Sequence, residues 1–365
     1  MIVGGVEDLK NAVLSKNLCV GCGACVNLCP YIDMVEGKAM VFESCGLKKG
    51  KCFAFCPRTY LDVAFLDYRI FNTYRTDHVL GVRKMITTGR AKNPEIRAVS
   101  QYGGVVSALM SYALEIGEID SAVLVKSENG IDPQPLIARK RDEVLACARS
   151  KYLVCPTVSI LVEAIKHERG SIGFVGTPCQ VEAVRKMQTS ELKLEASKIK
   201  FIIGLFCTWA LHPSAREFIK ERVKGRKILK LDVPPPPANT FIIQTEDGRL
   251  EVPLDDLRRF ILPSCNACFD MTNEFADISV GTVEGEEGWN MIIIRTNVGE
   301  RILQKAVENN VLELKPSKED NLKHLYEAVL TRKRRVISEA SPGNIAYLLL
   351  NDEYKLKILK EAEAS

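Results

Sequence analysis

Apolar positions in residues 76–225 fall into short runs alternating with stretches of helical period. Residues 121–125, 171–175 and 201–205 are apolar runs of strand length. Residues 158–167, 180–187 and 213–223 carry apolar residues at helical spacing, and residues 105–116 predict another helix behind Gly103-Gly104. This alternation predicts an α/β core with a mainly parallel sheet and helices against it. Further on, residues 241–245 and 250–253 flank Glu246-Asp247-Gly248 and predict a hairpin. Residues 257–287 read as a loop bearing cysteines and glycines, 291–295 as a strand and 300–309 as a helix. The proline run 234–237 reads as a rigid linker or an edge. Residues 1–17 read as a short helical lead-in. From about 318 the chain is charged and helical, and Arg332-Lys333-Arg334-Arg335 reads as a solvated helix face.

Composition narrows the class. The 365 residues suffice for two or three domains. With 46% hydrophobic and 26% charged residues the chain is an ordinary globular sequence. A net charge of +4 is too mild to argue for nucleic acid. Residues 1–16 carry Glu7, Asp8 and Lys10 and have no apolar core of a signal peptide. No apolar run reaches the length of a membrane span. A cytoplasmic location is expected, with any membrane association coming through a partner.

Thirteen cysteines against four histidines then change the picture, because seven of the cysteines fall between positions 19 and 56. In a reducing cytosol such thiols are read as metal ligands before disulfides. Cys19, Cys22, Cys25 and Cys29-Pro30 spell C-x2-C-x2-C-x3-C-P. That spacing wraps a 4Fe–4S cluster, with the fourth cysteine serving a second cluster. Gly21 and Gly23 let the loop bend and turn amides toward sulfur. The second half reads Cys45-x6-Cys52-x3-Cys56-Pro57. Cluster one would take Cys19, Cys22, Cys25 and Cys56. Cluster two would take Cys29, Cys45 and Cys52, one thiolate short. It has a non-cysteine ligand, holds three irons, or is missing. A zinc ribbon is the bland alternative. Residues 1–75 are therefore expected to form a small α+β domain like a bacterial ferredoxin, followed by a core over 76–317 and a charged helical tail over 318–365.

A second thiol constellation lies in the core. Cys179 follows one predicted strand and Cys207 another, so a parallel sheet presents both at its carboxyl edge, where open α/β folds bind ligands. Cys265-Asn-Ala-Cys268 adds a C-x2-C pair. These four suit another 4Fe–4S cluster, a four-thiolate zinc site, a redox pair or unlinked buried thiols. Cys147 and Cys155 have no spacing partner and read as core thiols. Gly103, Gly104 and Ser107 open a helix where phosphate can approach amides, or simply punctuate it. Ser150-Lys151-Tyr152 offers a hydroxyl, a cation and a ring, and Gly176-Thr177-Pro178 is a tight strand-to-helix turn.

Several motifs occur in a telling order: Gln101-Tyr-Gly-Gly-Val-Val-Ser-Ala-Leu, Ser150-Lys-Tyr, Val175-Gly-Thr-Pro-Cys-Gln, Gly204-Leu-Phe-Cys, Cys265-x2-Cys, Ala276-Asp-Ile-Ser-Val-Gly and Glu287-Gly-Trp-Asn-Met-Ile-Ile-Ile-Arg-Thr. Over roughly 80–310 the chain resembles the beta-subunit family of coenzyme F-420-reducing hydrogenase and dehydrogenase. The resemblance implies an FAD-bearing oxidoreductase subunit that exchanges hydride with coenzyme F-420, an 8-hydroxy-5-deazaflavin. It implies two or three 4Fe–4S clusters, with Cys179, Cys207, Cys265 and Cys268 holding one. It places Gly103, Gly104, Ser107, Ser150, Lys151, Tyr152, Gly176, Thr177 and Gln180 in motifs around the flavin. No side chain is expected to act as acid or base, since hydride passes between the rings. Arg83, Lys84, Arg90 and Lys151 are candidates for the acidic tail of the deazaflavin. The implied partner is the catalytic subunit of a larger complex: a hydrogenase, formate dehydrogenase, heterodisulfide reductase, membrane F-420H2 dehydrogenase or folate- or pterin-type reductase. The alternatives are a flavin-free, ferredoxin-like relay and a relative that reduces another substrate. The short second ferredoxin half and the long stretch after about 320 depart from the pattern.

Overall fold

The computed structural model describes residues 3–235, 238–339, 342–350 and 352–360. Met1 and Ile2 of the lead-in, and Pro236 and Pro237 of the proline run, lie outside them. The lead-in is helical over Val6–Leu9 and Lys10–Leu14. It is followed by a hairpin of β1 (Ile32–Val35) and β2 (Lys38–Val41), and then by the two-residue β3 (Leu61–Asp62).

The core strands follow in chain order: β4 (Met85–Ala91), β5 (Ser121–Glu128), β6 (Asp132–Ala138), β7 (Ile172–Gly176) and β8 (Ile199–Leu205). The strands β9 (Ile228–Asp232), β10 (Thr240–Thr245) and β11 (Gly248–Pro253) form a separate antiparallel sheet that contains the expected hairpin. After them come β12 (Ile278–Thr282), β13 (Asn290–Ile294), β14 (Leu312–Lys315) and β15 (Leu348–Leu349). Eight strands make the central sheet, in the order β14-β4-β13-β12-β8-β7-β5-β6. β5, β7, β8 and β12 pair in parallel, and β4 runs the same way across the antiparallel β13. The expected α/β core with a mainly parallel sheet is therefore present.

Helices cover both faces, which is why strands such as β7 are apolar throughout. The Val105–Glu115 and Asn297–Glu308 helices pack on one face. The Thr157–His167 and Pro178–Thr189 helices pack on the other, and the N-terminal unit lies against them. A single apolar core runs from Val6 and Phe55 through Val158 and Val181 to Val336, Tyr347 and Ile358. The boundary near residue 75 thus marks a change in sequence, and the packing runs straight across it.

Two expectations need correction. Residues 257–287 are not all loop: β12 lies inside them, between β8 and β13, where it buries Ile278 and Val280. The basic run is not a solvated face either. It sits in the Glu319–Glu339 helix with Arg332 and Lys333 buried, while Arg335 alone of the four is exposed. Val329, Arg332, Lys333 and Val336 fall at i, i+3, i+4 and i+7, one face of a helix. The stretch after 318 is consequently docked on the core. β15 pairs in parallel with β3, 287 residues earlier in the chain.

Candidate functional site

The N-terminal cysteine loop is shaped by two glycines with left-handed φ, Gly21 at +63° and Gly23 at +81°. A Cβ on Gly21 would stand 2.3 Å from the Gly37 carbonyl oxygen and 2.4 Å from Val154. The loop therefore presses directly onto residues 154–156, and Val158 N donates to the Cys22 carbonyl at 3.0 Å. Cys19, Cys22, Cys25 and Cys56 line one hollow, together with Leu9, Val13 and Ala39.

The thiols report which of them are neighbours. Burial, then Cys56 and Cys179, holds the Cys22 thiol well above its ordinary range. Burial, then Cys56, Cys19 and Cys52, does the same to Cys25. Cys52 is pushed up to about 11 by burial, with Cys29 and Cys45 adding to it. In the core, burial and then Cys265 and Cys179 raise Cys207. Cys179 rises to about 12 through burial, opposed by Arg58 and reinforced by Cys268. Cys19, Cys22, Cys25 and Cys56 thus lie near one another, as do Cys29, Cys45 and Cys52 and, in the core, Cys179, Cys207, Cys265 and Cys268, while Cys25 also has Cys52 as a neighbour and Cys22 has Cys179. The sulfurs of a set influence one another without meeting at a point. Among the described residues, no group of three or more His, Cys, Asp or Glu side chains could hold a single metal ion.

These sets fit iron–sulfur clusters in their chemistry. Buried like charges cannot all ionise unaided, and iron supplies the opposing charge. Backbone amides point at sulfur as thiolate ligands need: Ala39 N to Cys19 Sγ at 3.4 Å, Arg58 N to Cys56 Sγ at 3.5 Å and Ala210 N to Cys265 Sγ at 3.4 Å. The Cys265–Cys268 loop is held from outside. Arg332 donates to the carbonyls of Cys268 at 2.9 Å, Thr208 at 2.6 Å and Cys265 at 3.3 Å, while Tyr347 donates its hydroxyl proton to Ala267 O at 2.7 Å. Cys147 and Cys155 stand apart, each pushed up to about 11 by burial.

The flavin candidates fall into three groups, two of them at the carboxyl ends of central strands. Gly103 and Gly104 sit where β4 ends: Gly103 O accepts from Ala91 N at 2.7 Å, Gly104 caps the following helix, and Ser107 is buried in its first turn. Gly176, Thr177 and Gln180 sit where β7 ends. Thr177 and Gln180 form a capping box there, and Gln180 Nε2 also donates to Cys155 O at 3.0 Å. Ser150 and Tyr152 belong to a third group centred on Gln101 and Asp232. Ser150 N donates to Gln101 Oε1 at 3.1 Å, Tyr102 OH donates to Asp232 Oδ1 at 2.8 Å, and Tyr152 OH accepts from Val233 N at 3.0 Å. Residues 152–154 are stitched to the segment after Cys207 by Leu211 N to Tyr152 O and Val154 N to Leu211 O.

The cation candidates are engaged locally. Lys151 donates to the carbonyls of Cys147, Ala148 and Arg149, and burial lowers it to about 8. Arg83 pairs with Asp77, Lys84 with Glu300, and Arg90 with Glu313 while lying over the Trp289 ring.

Sequence reasoning missed Arg58, Glu182, Lys186 and Arg332, the charged groups that touch the cysteine loops. Arg58 had a signal in its place directly after Cys56-Pro57, and Arg332 had one in the helical spacing of the basic run.

Comparison with known proteins places the chain in a family. The family described as "Coenzyme F420 hydrogenase/dehydrogenase, beta subunit" matches in two parts, its N-terminal part over residues 86–162 and its C-terminal part over residues 170–320. Residues 12–31 match the "4Fe-4S binding domain". The beta subunit of the coenzyme F-420 hydrogenase of Methanothermobacter thermautotrophicus is 34% identical over 66% of this chain and 87% of its own length. One of the subunits of the F-420H2 dehydrogenase of Methanosarcina mazei is 31% identical over 79% of this chain and 82% of its own. A chain of the F-420-reducing [NiFe] hydrogenase complex from Methanosarcina barkeri superposes with a TM-score of 0.67 and 30% identity over 76% of this chain and 99% of its own. Fold, motif order and these likenesses agree: the chain belongs to the coenzyme F-420 hydrogenase/dehydrogenase beta-subunit family and carries a 4Fe–4S binding module at its N-terminus.

Proposed function

We propose that this chain is the flavin- and iron–sulfur-bearing subunit of a larger oxidoreductase, exchanging hydride with coenzyme F-420 and passing single electrons to or from a catalytic partner. The observation that carries this reading is that the N-terminal thiol loop packs on the core that bears the other thiols: Val158 N donates to the Cys22 carbonyl at 3.0 Å, and Arg58, two residues after Cys56, donates at 2.8 Å to Glu182 on the helix that carries Cys179. Cys19, Cys22, Cys25 and Cys56 would hold one 4Fe–4S cluster, and Cys179, Cys207, Cys265 and Cys268 another. Cys29, Cys45 and Cys52 supply three thiolates to a further site. FAD, when bound, supplies the conversion between two-electron hydride chemistry and one-electron chemistry. Gly103, Gly104, Ser107, Ser150, Tyr152, Gly176 and Thr177 would hold it. From β4 to β7 is four strand steps, roughly 19 Å at about 4.8 Å each, a spread that suits a dinucleotide better than a mononucleotide. Lys151 and Gln180 would act indirectly, by fixing the loops beneath it. Among the described residues no helix is long and apolar enough to cross a membrane.

Two measurements test the reading. Anaerobically purified protein should carry roughly 8–12 irons with matching sulfide and release FAD on heating. Stoichiometric zinc without sulfide would sink the cluster assignment, and iron without flavin would leave a one-electron relay. Reduced F-420 should bleach the bound flavin in stopped flow. If flavin is present and stays oxidised, the substrate is another one.

Cys265→Ala is expected to remove four irons, a full cluster by composition, while the ferredoxin-type signals and FAD remain. An unchanged iron count would show that the C-x2-C pair binds no cluster.

A further inference from the structure

Between the N-terminal and core thiol sets lies a buried cation that the family motifs do not account for. Arg58 follows Cys56-Pro57, and its side chain is 1% exposed. Nη1 donates to Glu182 Oε2 at 2.8 Å and to its own neighbour's carbonyl, Pro57 O, at 3.3 Å. The guanidinium carbon lies 4.6 Å from the centre of the Tyr347 ring. Nε and Nη2 are buried and have no hydrogen-bond partner, and Glu182 Oε1 is in the same position. Burying guanidinium donors unmet is costly, so a side chain held this way points to an acceptor that completes it.

The surroundings name that acceptor. Arg58 interacts electrostatically with Cys179 and Cys268 of the core set. Its own backbone N–H points at Cys56 Sγ of the N-terminal set. Arginine keeps its charge at any working pH, and its fork presents several donors in a fixed plane.

We propose that Arg58 is the bridge between the two clusters: its free Nε and Nη2 donate to sulfur of the core cluster, its charge favours the reduced form of both, and it thereby sets the drop in potential across the junction. This rests on the reading that both thiol sets hold clusters. Hydrogen bonds to sulfur and nearby charge are the levers by which a protein moves cluster potentials. The step served is transfer of one electron, in which one cluster is oxidised as the other is reduced, with no bond made and no proton moved. Arg58 is a positioning and tuning residue, with Glu182 as its counterweight.

The test is potentiometric titration of full-length, iron-loaded protein, followed by electron paramagnetic resonance. Arg58→Gln should keep the iron count and move the core-cluster midpoint to more negative potential, with a smaller shift in the N-terminal one. Arg58→Lys should recover part of that shift, because charge returns without the fork. Glu182→Gln should move the midpoints the opposite way, and it serves as the deciding variant if Arg58→Gln does not fold. Parent-like midpoints in the iron-loaded variants would overturn the bridge while leaving the cluster assignment intact. Absence of iron from the parent protein at either set would overturn the assignment itself.

Discussion

Lys333→Met is expected to destabilise the protein by on the order of 3–5 kcal/mol, the range for breaking a buried ion pair from one side. Lys333 is 0% exposed: it pairs with Glu274 at 2.6 Å and donates to His78 O at 2.7 Å and Tyr354 OH at 3.0 Å. Glu274 is itself fully buried and pairs with Arg75, which also pairs with Asp67 at 2.6 Å. Methionine fills much of the same volume, so packing changes little. The cost comes from Glu274, which keeps a buried charge with one cation fewer. A fall in Tm of roughly 10 °C follows, at about 2–4 °C per kcal/mol for a chain larger than the smallest domains. Arg335→Met, on the exposed side of the same helix, should move Tm by no more than about 2 °C. Equal melting of the two variants would show that Lys333 is not held in the core.

Removing residues 1–75 is expected to abolish folding rather than to yield a smaller flavoprotein. The N-terminal unit covers helices that carry Val158, Leu161, Val181 and Val184, all 0% exposed. It also supplies partners to buried charges. Glu182 would lose Arg58, Lys186 would lose the carbonyls of Cys56 and Tyr60, and Glu274 would lose Arg75. Each stranded charge costs several kcal/mol, against a total stability of roughly 5–15 kcal/mol. A chain starting near residue 76 should therefore be insoluble, or bind a hydrophobic dye and melt without cooperativity. A soluble product with a sharp melt would show that the unit is a removable module, as its cysteine spacing alone suggests.

How much was legible follows from the range of the forces involved. The strands at 121–125, 171–175 and 201–205 were readable because burial on both faces leaves continuous apolar runs bounded by turn residues. β12 was not, because Asp277-Ile-Ser-Val-Gly-Thr is short, half polar and set among cysteines and glycines. It becomes a strand by pairing with β8, some 75 residues earlier at Ile203↔Ile278. The N-terminal cysteine motif was readable from spacing, and the place of Cys179 and Cys207 just after β7 and β8 from the expected sheet. Arg58 and Lys333 were not, since basic residues sit on the surface in most sequences. What buries each is a carboxylate far away in the chain, Glu182 for one and Glu274 for the other. The run at 332–335 was misread because four cations in a row hide the two that share a face with Val329 and Val336.

The pairing of β15 with β3 bears on how the molecule is made. Tyr347 closes over Arg58 and bonds to Ala267, and Leu348 lies beside Leu61. The cover over Arg58 and Leu61 comes from residues made long after them. At about 5–20 residues per second, the ferredoxin-like segment waits on the order of half a minute for its closing strand. During that interval Leu61 lacks its strand partner and Arg58 lacks the Tyr347 ring. The N-terminal unit therefore completes its packing only once the C-terminal segment has been made.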